Sequence, residues 1–321
     1  MIEEKGNNKI EKVDKKGLKV FISIQLILLF LVIVLLLKSG EYGWSLFMVI
    51  PFSIGITVGF YTRIAKSVSW LKLCFKVLFI VSAISAALIA IGLEGAICVL
   101  MALGLIVLPA FVGLLIGYLI RKIYLIQFFL LVVFLNSGFI FYDVYNNEGF
   151  EDEALLSITI NQPLPVVKNI LQEKFVFSEH PNIFFKNGIS YPNAMHLQNK
   201  NNQWCLVCSL NKEEVDLPIL MLNDSVMRFT TLDDIIVMEE TNPFHKVEAK
   251  HQKGYFKVIY GEFKLKRLED DKTLLTATTK YEYQITPAFY WHWWTDYIVQ
   301  EMHEHVLNDI KLKAESFGKI R

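Results

Sequence analysis

The stretch Thr273–Glu315 reads TLLTATTKYEYQITPAFYWHWWTDYIVQEMHEHVLNDIKLKAE, and it decides the fold of the C-terminal half of this 321-residue chain. Its first part alternates between two kinds of side chain, as a half-buried β-strand does. One face carries Leu275, Ala277, Thr279, Tyr281, Tyr283 and Ile285. The spacing therefore predicts a strand over 273–285 with that face turned towards a core.

The second part of the stretch has the period of an amphipathic helix. Thr286 can cap this helix, and Pro287 suits its first turn. The apolar stripe consists of Ile298, Met302, Val306, Ile310 and Ala314. A long strand that leads directly into a long C-terminal helix predicts a helix-grip domain, in which a curved antiparallel sheet wraps around one helix.

Several motifs of this half resemble a known family. Within the stretch they are T-x-L-x-x-T-T-x-Y, P-x-x-Y-W, W-x-D-x-I and H-x-x-V-L-x-x-I-K-x-x-A-E. Upstream they are Gly188-Ile189-Ser190-Tyr191-Pro192, Met238-Glu239-Glu240-x-x-Pro243-Phe244 and Gly261-Glu262-Phe263-x-Leu265. Together they resemble the START-like superfamily, in its polyketide cyclase/dehydrase and lipid-transport branch (SRPBCC), over roughly residues 155–315.

The resemblance implies a fold and a class of ligand. It implies a sheet of six or seven strands around the C-terminal helix, with a lipid or other apolar molecule held between them. One position differs, because Gln300 stands where the family often has His, just before the retained His303. No reaction is implied, since one cavity serves many functions in this superfamily.

Charge and hydropathy divide the chain into two halves. The formal net charge is zero, but residues 1–142 hold 13 basic and 6 acidic residues, whereas residues 143–321 hold 19 and 26. A basic, apolar half with a net charge of +7 thus precedes an acidic, polar half with a net charge of −7. Two different environments are indicated. The acidic half has no basic stripe, which disfavours nucleic-acid binding.

Five apolar segments in the first half are each close to the ~20 residues that cross a bilayer. Their predicted spans are Lys19–Leu37, Trp44–Tyr61, Leu73–Gly92, Ala96–Ile120 and Tyr124–Tyr142. We therefore divide the chain into a cytosolic basic tail (1–18), a transmembrane helical region (19–142), a linker (143–153) and a START-like helix-grip domain (154–321). The overall class is α+β.

The connections between the segments alternate in charge. Basic residues concentrate in the N-terminal tail and in the second and fourth loops, which carry Lys5, Lys9, Lys12, Lys15, Lys16, Arg63, Lys66, Lys72, Arg121 and Lys122. The positive-inside rule then predicts a multi-pass protein of the cell (inner) membrane with its N-terminus in the cytoplasm. Five crossings would leave the C-terminal domain extracytoplasmic.

Small residues recur one helical turn apart in the second and fourth spans. The pairs Gly55-x-x-x-Gly59 and Gly113-x-x-x-Gly117 permit close helix contact. We interpret them as intramolecular packing. Buried charges and broken polar helices would indicate a transport pathway, and neither pattern is present in the spans, so a channel or transporter is disfavoured.

Cysteine and histidine supply no clear chemistry. Cys205 and Cys208 lie three residues apart on a predicted strand and so point to opposite faces. His303 and His305 diverge on the helix by roughly 200°. His245 with His251, or His303 with Glu304, could in principle do acid–base work, but no nucleophile accompanies them. We therefore predict no metal site and no cofactor, and we interpret His303 as a residue that bonds to the facing sheet.

The aromatic run Phe289–Trp294 surrounds the predicted start of the helix, so some of its rings face the sheet and others face solvent or a membrane surface. We place the candidate ligand site at Tyr281, Tyr283, Trp291, Trp294, Ile298, Met302, His303 and Phe263.

Three functional hypotheses stay open at this stage. The preferred one is a membrane-anchored module that binds a lipid or other hydrophobic ligand, for transport or sensing. The second is a cyclase/dehydrase-type enzyme that uses the same cavity, and the third is a structural membrane protein whose cavity is filled by side chains. The sequence does not fix the oligomeric state.

Overall fold

The computed structural model describes residues 15–64, 69–120, 124–146, 149–200, 202–210, 213–231 and 255–317. Several sequence features lie outside these ranges. They are most of the N-terminal tail, part of the basic loops, the motif 238–244 and the histidines His245 and His251.

Five helices form the part of the N-terminal half that the structure describes. They are α1 (Lys15–Ser39), α2 (Ile50–Ile64), α3 (Trp70–Ala90), α4 (Ala96–Leu119) and α5 (Leu125–Tyr145), and a π-helical turn, Ser45–Val49, leads into α2. All five are long and apolar enough to cross a membrane. The candidate spans of the structure begin and end within three residues of the predicted ones, because uninterrupted apolar runs of this length mark such helices clearly.

The two glycine pairs bring α2 and α4 into backbone contact. A Cβ atom on Gly55 would lie 1.8 Å from the carbonyl oxygen of Ala110, and one on Gly117 would lie 2.1 Å from that of Ile56. No side chain fits at such distances, so only glycine allows the two helices to approach this closely. The interpretation of these motifs as packing within the bundle is confirmed.

In its described residues, the C-terminal half combines eight strands with three helices. The strands are β1 (Phe150–Ile160), β2 (Phe175–Val176), β3 (Pro192–Lys200), β4 (Gln203–Leu210), β5 (Glu213–Leu222), β6 (Val226–Phe229), β7 (Phe256–Arg267) and β8 (Thr273–Tyr283). The helices are α6 (Leu164–Gln172), α7 (Ile183–Lys186) and α8 (Ala288–Phe317). The strands form one antiparallel sheet in the order β1-β8-β7-β6-β5-β4-β3-β2.

The sheet curls around α8, as the helix-grip prediction requires. Leu307, Ile310 and Ala314 on α8 are fully buried and share one core with Leu275 on β8 and Ile160 on β1. This core closes the end of the domain that lies away from the helices of the N-terminal half. It explains why the apolar stripe of α8 persists to the last turns of the helix.

The predicted number of strands, six or seven, is wrong, because the sheet has eight. The strand that the sequence does not reveal is β2, which pairs through only two residues with Ala194 and Met195 of β3. Two residues are too few to show a period-two pattern.

The connection between the two halves is shorter than the predicted linker of 143–153. Helix α5 continues to Tyr145 and β1 begins at Phe150. The acidic residues at the start of β1 pair across to β8 and α8: Glu151 lies 2.7 Å from Lys280, and Asp152 lies 2.5 Å from His292. These two polar contacts support this end of the strand, and a hydropathy pattern does not reveal them.

The two halves meet through the connections at one end of the bundle. The hydroxyl of Tyr42, between α1 and α2, donates a 2.9 Å hydrogen bond to Glu94, between α3 and α4. The backbone N–H of Thr286 donates a 3.0 Å bond to the carbonyl of Tyr42, and the Tyr255 hydroxyl donates to the carbonyl of Gly40. The end of α1, the start of α4 and the helix-grip domain therefore lie on the same side of the bundle.

Candidate ligand cavity

An apolar cavity of about 350 Å³ runs from the interior of the sheet into the helical bundle. This volume lies within the roughly 300–1,000 Å³ of small-molecule sites. On the domain side its walls come from β3 to β8 and from α8; on the bundle side they come from α1 to α4. The helix-grip domain alone therefore leaves the cavity open at one end, and the apolar helices of the bundle close it.

The bundle half of the cavity is deep. Its walls include Ile33 on α1, Ile54 on α2, Val81 on α3 and Ile106 on α4. At 1.5 Å per residue, Val81 and Ile106 lie roughly 13–15 Å from the ends of their helices that face the domain. This depth is close to half of the ~30 Å hydrocarbon core of a bilayer.

Five of the eight candidate site residues line this cavity. They are Phe263 on β7 and Trp291, Ile298, Met302 and His303 on α8. The helical spacing brings the four α8 residues to the side that faces the sheet, together with Thr295, Val299 and Val306.

Tyr281 and Tyr283 lie outside the cavity, although they belong to the inward face of β8. Tyr281 is fully buried, and its ring stacks on Phe256 at a centroid distance of 5.3 Å. Tyr283 packs against the cross-strand ring of Phe150 at 5.7 Å. These rings fill the space between the sheet and the bundle, so the expected placement at the cavity wall is corrected. Burial raises the pKa of the Tyr281 hydroxyl.

Trp294 also lies outside the cavity. It sits at the edge of the inward face of α8, where its ring meets Phe184 of α7 edge to face at 5.5 Å. Counting 100° per residue, Trp294 is about 60° from Trp291 and about 100° from Thr295. Residues three and four apart share one side of a helix only approximately, so Trp294 lies beside the cavity face rather than on it.

His303 is one of several polar residues on the domain side of the wall, together with Thr278, Thr279 and Glu262. Its Nε2 lies 2.8 Å from Oγ1 of Thr279 on β8, which also lines the cavity. The interpretation that His303 bonds to the facing sheet is confirmed. Its Nδ1 is buried without a hydrogen-bond partner. Burial lowers the pKa of His303 to about 4, so the ring is neutral at physiological pH.

Two other titratable groups near the cavity, Cys208 and His305, offer little acid–base chemistry. Burial raises the pKa of the Cys208 thiol to about 12, which keeps it protonated. His305 points away from the cavity, and its Nε2 donates to the carbonyl of Ser178 at 3.0 Å. Within the described parts of the chain, no three His, Cys, Asp or Glu side chains cluster in a way that could hold a metal ion.

Sequence reasoning missed the bundle half of the wall altogether. It also missed Gly261 and Phe229, which line the cavity from neighbouring strands. A Cβ atom on Gly261 would lie 2.4 Å from the ring of Phe229, so the glycine leaves room for that ring to lie across the sheet. The isolated glycine inside a strand pattern was the available signal.

Comparison with known proteins gives structural neighbours only. No family model matches the chain, and no curated protein matches it. Similar solved structures include the Zhui aromatase/cyclase from Streptomyces sp. R1128, at 13% identity and a TM-score of 0.32 over 54% of this chain and 97% of that one. A protein from Nitrosospira multiformis matches at 13% identity and a TM-score of 0.31, over 52% of this chain and 99% of that one.

A member of the major latex protein family from Arabidopsis thaliana matches at 9% identity and a TM-score of 0.21, over 49% of this chain and 95% of that one. The three neighbours each cover about half of the chain. The assignment of a helix-grip arrangement rests on the strand order and on the position of α8 described above.

Proposed function

We propose that this protein is a membrane-anchored module that binds a lipid or another hydrophobic molecule in the cavity shared by its two halves. The observation that carries the proposal is the continuous apolar wall, to which both the sheet and the membrane helices contribute. Apolar burial stabilises a ligand by about 25 cal/mol per Å². A wall of this kind favours an apolar ligand without demanding a particular reaction.

The membrane forms part of the same proposal. Phe289 and Trp293 lie one turn apart on α8 and are 66% and 59% exposed. Beside them, the hydroxyl of Tyr290 donates to the carbonyl of Met101, which lies more than one turn inside α4. The start of α8 thus lies level with the first turns of a membrane helix. Exposed aromatic rings at this level suit the bilayer interface, where Trp is favoured.

Retention of a ligand by the intact protein tests the proposal. Native mass spectrometry of the full chain, released from detergent, should detect an apolar molecule bound to the wild type. Ala277→Leu should reduce its occupancy, because Ala277 lines the cavity from β8 and leucine would fill part of the space.

Thr276→Leu is the matched control, since Thr276 is the next residue on β8 and its hydroxyl lies 2.8 Å from Ser157 on the outer face of the sheet. We expect this variant to retain the ligand. A wild-type protein without a bound molecule would favour a structural role for the cavity. Equal retention of a bound molecule by the two variants would place the binding site outside the cavity.

A further inference from the structure

The polar groups of the cavity wall are distributed unevenly along its length. At the domain end, His303 offers a buried nitrogen, Nδ1, that has no hydrogen-bond partner, and the residue as a whole is 5% exposed. At the bundle end, the deep residues Ile33, Ile54, Val81 and Ile106 are all aliphatic. The cavity therefore has hydrogen-bonding groups towards the domain and a deep end in the bundle that these aliphatic side chains line.

Further polar groups of the wall are Nε1 of Trp291, which is buried without a hydrogen-bond partner beside Phe47, and the carboxyl group of Glu94. Glu94 stands where the two halves meet rather than at either end. It follows α3, and it accepts a 2.9 Å hydrogen bond from Tyr42. This bond links the connection between α1 and α2 to the connection between α3 and α4.

Deeper side chains of the wall, such as Ile54 and Ile106, are aliphatic. A polar head placed among Ile33, Ile54, Val81 and Ile106 would lose its hydrogen bonds to water, which is unfavourable. Ser85, a further polar residue of the wall, lies one turn from Val81 towards the domain.

We propose that the ligand is a long-chain amphiphile with a neutral hydroxyl or carbonyl head, which enters from the bilayer through the bundle. Its head bonds to Nδ1 of His303, and its chain extends down between α1 and α4. This inference rests on the function proposed above and adds the class of the ligand, its orientation and its route of entry.

The bond that His303 makes to Thr279 suits a neutral head. If the Thr279 hydroxyl donates to Nε2, then Nδ1 carries the proton and donates to the ligand; if Nε2–H donates to Thr279, then Nδ1 accepts. A hydroxyl group can serve in both cases, and a carbonyl oxygen in the first. An ionised head would be buried without an opposite charge beside it, which is unfavourable.

Photolabelling measures the orientation directly. The full chain is reconstituted in phosphatidylcholine nanodiscs with long-chain alcohols that carry a diazirine either near the methyl end or near the hydroxyl end. We expect the methyl-end probe to label the cavity residues of α1–α4, and the hydroxyl-end probe to label those of β7, β8 and α8. Reversed or identical labelling by the two probes would overturn the orientation while leaving cavity binding intact. Absence of labelling in the cavity by both probes would instead overturn the proposed function.

The route of entry has its own test. Ala102→Phe, at a cavity position on α4, should reduce labelling of the domain residues by the hydroxyl-end probe several-fold. Leu108→Phe, on the same helix and 67% exposed, should not. Equal labelling in Ala102→Phe and the wild type would show that the ligand reaches the domain by another path.

The role of His303 is tested by comparing the alcohol with the alkane that lacks its hydroxyl. In the wild type the alcohol should label the domain residues more strongly than the alkane. His303→Ala should reduce this preference about two- to tenfold, the loss expected for one hydrogen bond. Because the measurement is a ratio within one variant, a partly destabilised protein still reports on it. An unchanged ratio would rule out the bond to His303.

Discussion

The imidazole of His303 and the hydroxyl of Thr279 lie 2.8 Å apart across the space between α8 and β8. The two side chains belong to the elements that the C-terminal stretch of the sequence predicts, strand first and helix second. They therefore hold together the helix and the sheet at the wall of the cavity. Because the ring is buried and neutral, this contact makes the stability of the protein depend on pH.

The pH dependence of stability has a definite sign. Burial lowers the pKa of His303 from 6.5 to about 4, so between these values the unfolded chain takes up a proton that the folded chain does not. The free energy of unfolding should therefore fall as the pH falls through this window, by about 3 kcal/mol when the effect is complete. His303→Gln should remove this part of the slope in thermal unfolding of the detergent-solubilised chain. The same slope in the variant would assign the effect to other groups.

The contact between α2 and α4 predicts a large effect of a small substitution. A Cβ atom on Gly113 would lie 2.2 Å from the carbonyl oxygen of Phe52, so Gly113→Ala should force the helices apart and cost several kcal/mol. Gly138→Ala is the matched control on α5, because nothing lies within 4 Å of its Cβ position. The control should be neutral or stabilising by up to ~1 kcal/mol. Equal unfolding temperatures for the two variants would refute the close packing.

Asp143 predicts a second point of sensitivity, at the end of α5. Its carboxylate accepts hydrogen bonds from the backbone N–H groups of Trp44, at 3.0 Å, and Ser45, at 2.8 Å, and also from the Ser45 hydroxyl. Asp143→Ala would leave these buried donors without partners and should destabilise the bundle by about 2 kcal/mol or more. Asp216→Ala, which removes only a surface pair with Lys200, should cost at most about 1 kcal/mol. A smaller loss for Asp143→Ala than for this control would contradict the assignment.

The predicted orientation of the chain in the membrane can be tested with a fused reporter. Basic tail and loop residues predict a cytoplasmic N-terminus, and five crossings would then leave the C-terminal domain on the other side. A reporter that is active only in the cytosol, fused after Arg321, should be silent. The same reporter fused before Met1 should be active. Strong activity of the C-terminal fusion would reverse the assignment.

The sequence predicted those features that a regular period or a long apolar run reveals. The strand and helix of 273–315 and the five apolar segments belong to this group, as does the packing of Gly55 against α4. Each depends on residues close together in the chain or on a single repeated spacing. The pattern also placed Trp291, Ile298, Met302 and His303 on the helix face that lines the cavity.

The rest depends on contacts between distant residues. The apolar helices have no polar face, so nothing in their pattern shows that Ile33 and Ile106 line a cavity while Leu108 is exposed. Tyr281 is excluded from the wall by the ring of Phe256, which lies on another strand. Asp143 reads as part of an acidic linker in the sequence, and only the fold shows that it caps the segment beginning at Trp44.

The short connection from α5 to β1 has a consequence for how cargo would be exchanged. Tyr145 ends the helix and Phe150 begins the strand, and even a fully extended chain spans only about 18 Å over this distance. With the five helices in a bilayer, as proposed above, the domain cannot travel as a free carrier between distant membranes. Its occupancy would follow the mole fraction of cargo within its own bilayer, and delivery would require an acceptor that diffuses to it in two dimensions.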